Sequence, residues 1–151
     1  MASTFWPEAT LDVWLKEINH DPTSTALGQI TITPEIECEV LPNGVIVNPV
    51  KILGIRIPHG GNWQKDVEIY PPNPGGYIGV GAPEGILRLT VKVTGSPSRL
   101  MGWTDAYFSL PPGTAGTTVK KEVTVLVIAE TVPPNPPGAK LWFRFWVTSA
   151  C

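Results

Sequence analysis

The chain has 151 residues, with 11 basic and 13 acidic side chains and a net charge of −2, which is the length of one domain with room for a single core. Fifteen Gly and seventeen Pro against only 16% charged residues exclude coiled coils and helix bundles, which need charged helices free of breakers. An apolar content of 42% excludes disorder. A pI near 5.6 offers no phosphate-tracking surface, so no nucleic-acid partner is expected.

The opening stretch, with Phe5, Trp6 and Pro7, lacks the basic and apolar regions of a signal peptide, and nowhere does the apolar run approach the roughly 18 residues of a membrane helix. A soluble chain with no membrane partner is therefore expected. Leu11, Trp14, Leu15 and Ile18 fall at i, i+3, i+4 and i+7, which predicts a short amphipathic helix stopped by Asp21-Pro22. Phe5 and Trp6 before it read as an extended arm whose aromatic rings need a surface to bury against. The expected organisation is an arm and helix over residues 1–28 and a β domain over 29–151, within one structural unit.

From Gln29 the period changes to two. Ile30, Ile32, Ile36, Cys38 and Val40 alternate with Thr31, Thr33, Glu35, Glu37 and Glu39, the pattern of a half-buried strand over 29–41. Pro42-Asn43-Gly44 fits a tight turn into a second strand over 45–57, whose apolar parity slips near Pro49 and Gly54, as bulges or bends would make it do. Further strands are expected over 63–70, with Trp63, Val67 and Ile69 on one face, and over 86–94, with Leu87, Leu89, Val91 and Val93 on one face. Residues 100–110 make a weaker strand interrupted by Gly102. Residues 119–131 and 141–148 complete the set, the last with Phe143 and Phe145 on one side and Trp142, Arg144 and Trp146 on the other.

The breaks between these strands are rich in turn residues. They are His59-Gly60-Gly61-Asn62, the run from Pro71 to Gly76, Ala82-Pro83-Glu84-Gly85, Gly95-Ser96-Pro97-Ser98, Pro111-Pro112-Gly113 and the run from Pro133 to Gly138. Turn signals at this spacing predict an all-β, antiparallel β-sandwich or barrel-like domain with a short N-terminal arm or helix. The two Pro-Pro-Asn-Pro runs read as independent rigid turns, because the strands flanking them do not match. Prolines in loops and only six Gln, Met and Cys residues point to selection for thermal stability.

Residues able to carry chemistry are few. Glu35, Glu37 and Glu39 share a strand face about 7 Å apart, a spacing that suits a solvated acidic stripe opposite Lys51 or the lysines of another strand better than a calcium loop. His20, beside Asp21, would favour a helix C-terminus as a cation, and His59 lies in a glycine-rich turn. Neither has a companion at metal-ligand spacing. No nucleophile motif selects a serine to work with them, and the Gly-Gly pairs open no helix that could cradle a phosphate. No catalytic residue, cofactor-binding residue, cofactor or metal site is expected, and the chain reads as a non-enzyme. Cys38 reads as a small core residue and Cys151 as a free, exposed thiol.

The six tryptophans are the unusual feature. Trp142 and Trp146 oppose Phe143 and Phe145, so the last strand is apolar on both faces, whereas an outer strand with one wet face is not. Three explanations remain open: the strand is central and buried on both sides, Trp142 and Trp146 with Arg144 form a self-interface, or the tryptophans stack on sugars.

In overall plan, with its arm and helix from Ser3 to Asn19, its β domain from Gln29 to Thr148 and its proline-rich turns, the chain resembles the head decoration, or auxiliary capsid, proteins of tailed bacteriophages, above all those of thermophilic phages. It differs from many of them in the compact amphipathic helix near its start. The resemblance implies a homo-oligomer, a trimer on the threefold positions of a viral shell. It also implies a place on the virion surface after synthesis in the host cytoplasm, and an arm lying along the major capsid protein. Phe5, Trp6, Leu11, Trp14, Leu15 and Ile18 would be the partner-binding residues of that arm, or would cap one end of the β domain. The alternative is a carbohydrate-binding β-sandwich in which Trp63, Trp103, Trp142 or Trp146 stacks on sugar rings.

Overall fold

The structure, a computed structural model, describes residues 10–21, 29–41, 45–46, 49–70, 85–96, 99–110, 118–131 and 139–150. Phe5 and Trp6 of the expected arm, the turn Pro42–Gly44, Cys151 and the proline-rich runs from Pro71, Pro111 and Pro133 lie outside the described residues.

The described residues form strands and the turns between them, with no helix among them, as their period-two patterning requires. The strands are β1 (Thr10–His20), β2 (Ile30–Leu41), β3 (Val45–Ile46), β4 (Val50–Lys51), β5 (Ile55–Ile57), β6 (Asn62–Tyr70), β7 (Gly85–Ser96), β8 (Leu100–Leu110), β9 (Thr118–Thr131) and β10 (Ala139–Ala150). All pairings are antiparallel, in the order β3-β2-β7-β8-β9-β10-β1-β6, with β4 and β5 also on β2. Two layers result. One is β6-β1-β10-β9 and the other is β8-β7-β2 with the broken strand β3, β4 and β5. They join where the start of β8 pairs with the end of β9, Leu100 opposite Thr131. This is an antiparallel sandwich that closes almost into a barrel.

The expected N-terminal helix is instead strand β1, and the reason is a β-bulge. Between Leu15 and Glu17 the register shifts against both neighbours, β10 and β6. One extra residue, Lys16, resets the inward parity from Val13 and Leu15 to Ile18 and His20, all buried. A strand with one bulge has an apolar gap of three, which in a linear sequence mimics the i, i+3, i+4 spacing of a helix. Leu15 and Ile18, expected to face a partner as part of an arm, have no exposed surface and belong to the core. Trp14 points outward, and at Leu11 the backbone pairs with Ser149.

The broken strand after β2 has a similar local cause. Pro34, in the middle of β2, has no N–H to give to a ladder, and it sits at the gap between β4, which pairs with Glu35 and Ile36, and β5, which pairs with Ile30 to Ile32. Pro34 still accepts a hydrogen bond at its carbonyl from Ile52 N, 3.0 Å. Gly54 turns the chain there with φ of 66°, a value that favours glycine. The parity slip seen in the sequence is this break.

Inward positions from both layers form one core, with Leu15, Ile36, Leu89, Val125, Phe143 and Phe145 among its fully buried members. Cys38 lies in it, and burial pushes its thiol pKa up. Gly102 does not interrupt β8. It allows β8 to pass close over β9, for a Cβ at this position would collide with the backbone of Ile128 and Ala129, and Thr104 Oγ1 then donates to the carbonyl of Leu126 at 2.9 Å.

Two stability outcomes test this arrangement. A chain lacking residues 1–21 loses the strand between β10 and β6 and is expected to give an unfolded or aggregated product by circular dichroism and gel filtration, in place of a folded β domain. Gly102→Val is expected to lower stability by about 1–3 kcal/mol in urea melts, the usual cost of overpacking a tight contact.

Candidate functional site

The outward side chains of the two layers form two surfaces of different chemistry. On the first layer, cross-strand neighbours make rows. Glu122, Trp146, Trp14 and Glu68 stand side by side, then Thr124, Arg144, Glu17 and Gln64, then Leu126, Trp142, Asn19 and Asn62. The middle row is held by one carboxylate. Glu17 accepts hydrogen bonds from Gln64 (2.7 Å), Asn19 (2.9 Å) and Asn62 (3.0 Å), and Arg144 Nε approaches at 3.4 Å. The Gln64 bond leads in holding its carboxyl below the usual range, against the effect of burial.

The tryptophan rows flank this hub. Trp142 is half-buried and its Nε1 donates to Asp21 Oδ2 at 3.1 Å. Trp146 is 47% exposed, and Lys16, the bulged residue, lies with its Nζ 4.3 Å above the indole while pairing with Asp66 at 2.6 Å. Ile128, on the outward side of β9, is exposed too. Strand β10 is therefore central in its sheet, with Phe143 and Phe145 in the core, and its outer face is only partly covered.

On the second layer the rows are Glu39, Arg88 and Tyr107; Glu37, Thr90 and Asp105; and Glu35, Lys92 and Trp103. The expected acidic stripe on β2 exists, and Glu35 is in register with Lys51 and Lys92. Glu37 and Glu39 meet an arginine instead of lysines. Arg88 donates through Nε to Glu39 at 2.8 Å and through Nη2 to Glu37 at 3.0 Å. Its Nη1 reaches Thr90 Oγ1 at 2.7 Å and Asp105 at 3.4 Å, and the Thr90 hydroxyl bonds Asp105 in turn. Burial opposes the charge on Arg88, but the bonds to Glu39 and Glu37 outweigh it and push its pKa up. This network floors an open groove of about 500 Å³ bordered by Pro49 and Trp103.

The two histidines, 39 positions apart in the chain, meet at one end of the sandwich with ring centroids 5.2 Å apart in an edge-to-face contact. His20 ends a strand, not a helix, so no helix dipole acts on it. It is 1% exposed, and neither ring nitrogen has a hydrogen bond of good geometry. Burial, followed by the neighbouring His59, lowers its pKa from the usual 6.5, while the Pro58 and Ile57 carbonyls and Asp21 act the other way. Among the described residues no group of three or more His, Cys, Asp or Glu side chains is placed to hold a metal.

Of the tryptophans considered as binding residues, Trp63 packs partly buried against the core, Trp142 and Trp146 share one outer face, and Trp103 stands on the other. The Arg88 network and the histidine contact were not foreseen. Alternation alone put Arg88, Thr90 and Lys92 on the outward side of β7, but their neighbours depend on strand order. No protein-family model matches the chain, and comparison with curated proteins finds no relative, so function is argued from these surfaces.

The histidine contact predicts a pH dependence. Since the folded pKa of His20 lies below the unfolded value, the unfolded chain takes up the proton first as pH falls. Stability is therefore full above about pH 6.5 and declines below it, until the folded pKa is passed. His20→Leu is expected to flatten the melting temperature between pH 7 and 5. The loss of the Glu17 contribution belongs to a separate, more acidic window, below its unfolded value of 4.5, because its folded pKa is depressed.

Proposed function

We propose that this chain is a non-enzymatic structural module of the capsid-decoration kind, which self-associates, as a trimer in the plan it resembles, and attaches to the outside of a viral shell. The observation that carries the reading is the outer face of β1, β10 and β9. Trp146 and Ile128 are exposed there, with Trp14, Trp142 and Leu126 partly so, around a Glu17 and Arg144 hub whose polar groups are already satisfied within the chain. Aromatic residues and Arg are the residue types enriched in interface cores, and a polar row with partners of its own costs little to bury. In a trimer this patch on one copy meets a different surface of the next and closes a ring, whereas a pair would bring two copies of the patch together.

The partner on the shell would be the major capsid protein, and Phe5 and Trp6 remain the arm residues proposed to reach it. The function needs no cofactor and no reaction, in keeping with a sequence that offers no nucleophile motif. A solution mass by light scattering is expected to exceed the 16.3 kDa of one chain severalfold at tens of micromolar. Trp146→Ala is expected to weaken assembly by on the order of tenfold or more, as loss of a central interface tryptophan does, while Trp103→Ala on the opposite layer leaves it intact. A strictly monomeric wild-type chain would overturn the self-association. An antibody to the chain that fails to label intact virions from the source culture would overturn the shell location.

A further inference from the structure

The groove on the second layer has a use that self-association leaves open. From its residues we propose that the outer face of β7 and β8 is a binding site for a neutral oligosaccharide, with Trp103 as the stacking platform. This lies beyond the structural role and rests on the layer opposite Trp146.

Trp103 is 63% exposed and Tyr107, four residues along the same face of β8, is 59% exposed. At the rise of an extended strand they stand about 13 Å apart, on either side of Asp105. Isolated exposed aromatics are ordinary surface. Two in line along one strand, beside a groove of polar groups, fit a ligand that presents alternating apolar and hydroxylated patches. The flat C–H face of a pyranose ring covers an indole, and its equatorial hydroxyls point sideways toward hydrogen-bonding groups. The spacing of the two rings favours a chain of sugars over a single one.

The polar floor decides the charge of the ligand. The guanidinium of Arg88 is committed to Glu37, Glu39, Asp105 and Thr90, so it is not free to form the bidentate clamp that recognises phosphate, sulfate or carboxylate. In the lining of the groove three carboxylates, those of Glu35, Glu37 and Asp105, outnumber Arg88 and Lys92, which disfavours an anionic polymer. A cationic ligand would compete with Lys92 and Arg88, already in place between the strands. A carboxylate that accepts one bond from Arg88 keeps lone pairs for more, so the floor offers fixed acceptors to the hydroxyl donors of a neutral sugar, with Lys92 as a donor beside Trp103. The network also holds these acceptors in position before binding, which lowers the ordering cost.

The test uses the full chain and tryptophan fluorescence titration. The neutral probes are cellohexaose, laminarihexaose, maltohexaose, mannohexaose and chitohexaose, and the anionic probes are a heparin hexasaccharide and a hexagalacturonate. At least one neutral probe is expected to bind, and isothermal titration calorimetry then compares variants on it. Trp103→Ala is expected to weaken binding by on the order of tenfold or more, with unchanged far-ultraviolet circular dichroism because its side chain is mostly exposed. Tyr107→Ala, a second variant on the same face, is expected to weaken binding too, and Trp146→Ala to bind as the wild type. Binding of no neutral probe, binding confined to the anionic probes, full binding by Trp103→Ala, or an equal loss in Trp146→Ala would each overturn the proposal. Light scattering on the same samples reports self-association separately, so failure of one reading is distinguishable from failure of the other.

Discussion

Strand β1 is paired on both sides, with β10 from Thr10 to His20 and with β6 from Val13 to Asn19, and the bulge at Lys16 is what lets it keep both partners. Without the bulge, strict alternation continued from Val13 and Leu15 would turn Ile18 outward, for a one-residue slip exchanges the faces of a strand. With it, Ile18 and His20 return to the interior, and Lys16 itself is left outside to pair with Asp66 and lie over Trp146. One irregularity thus joins the first strand to the last, completes the core beneath them and sets the charge beside the exposed tryptophan. The rest of that layer follows from it: the Glu17 hub exists because Glu17 emerges beside the bulge, facing Arg144 and Gln64.

The two outer faces show how similar residues serve different ends. On one, a carboxylate gathers amide groups and an arginine, and tryptophans surround it. On the other, an arginine gathers carboxylates, and the aromatic rings stand along one strand at the side of a groove. In both, the charged group is satisfied within its own face, so neither the arginine nor the carboxylate needs a counter-ion from a partner. What each face has to offer is therefore its apolar surface and its spare lone pairs. The first offers exposed Trp146 and Ile128 with fewer acceptors, which suits a protein surface. The second is rich in acceptors, which suits a hydroxylated one.

The histidine contact stands apart from both. It pins the turn after β5 to the end of β1, where His20 N also donates to the carbonyl of Gly61 at 2.9 Å. Gly60, with φ of 74°, gives that turn its left-handed bend. Burial of the imidazole at this joint disfavours its cation, so this contact ties the stability of the fold to pH.

The sequence by itself determined the all-β class, the extents of most strands and the inward side of those that alternate cleanly. Alternation over 29–41, 86–94 and 141–148 is a direct imprint of the pleat, and Gly and Pro punctuate its ends. It also carried the break near Pro49 and Gly54, because a slip in parity has no other economical origin. What it did not carry is pairing order, since nothing in a half-buried strand names its neighbour. For that reason Arg88 could not be joined to Glu37, Glu39 and Asp105, nor His20 to His59. Tertiary structure also decided β1, where a bulge gave a strand the apolar spacing of a helix, and Gly102, which is a close passage of two backbones and not a break in a strand. These features depend on contacts between residues far apart in the chain, and local periodicity does not record them.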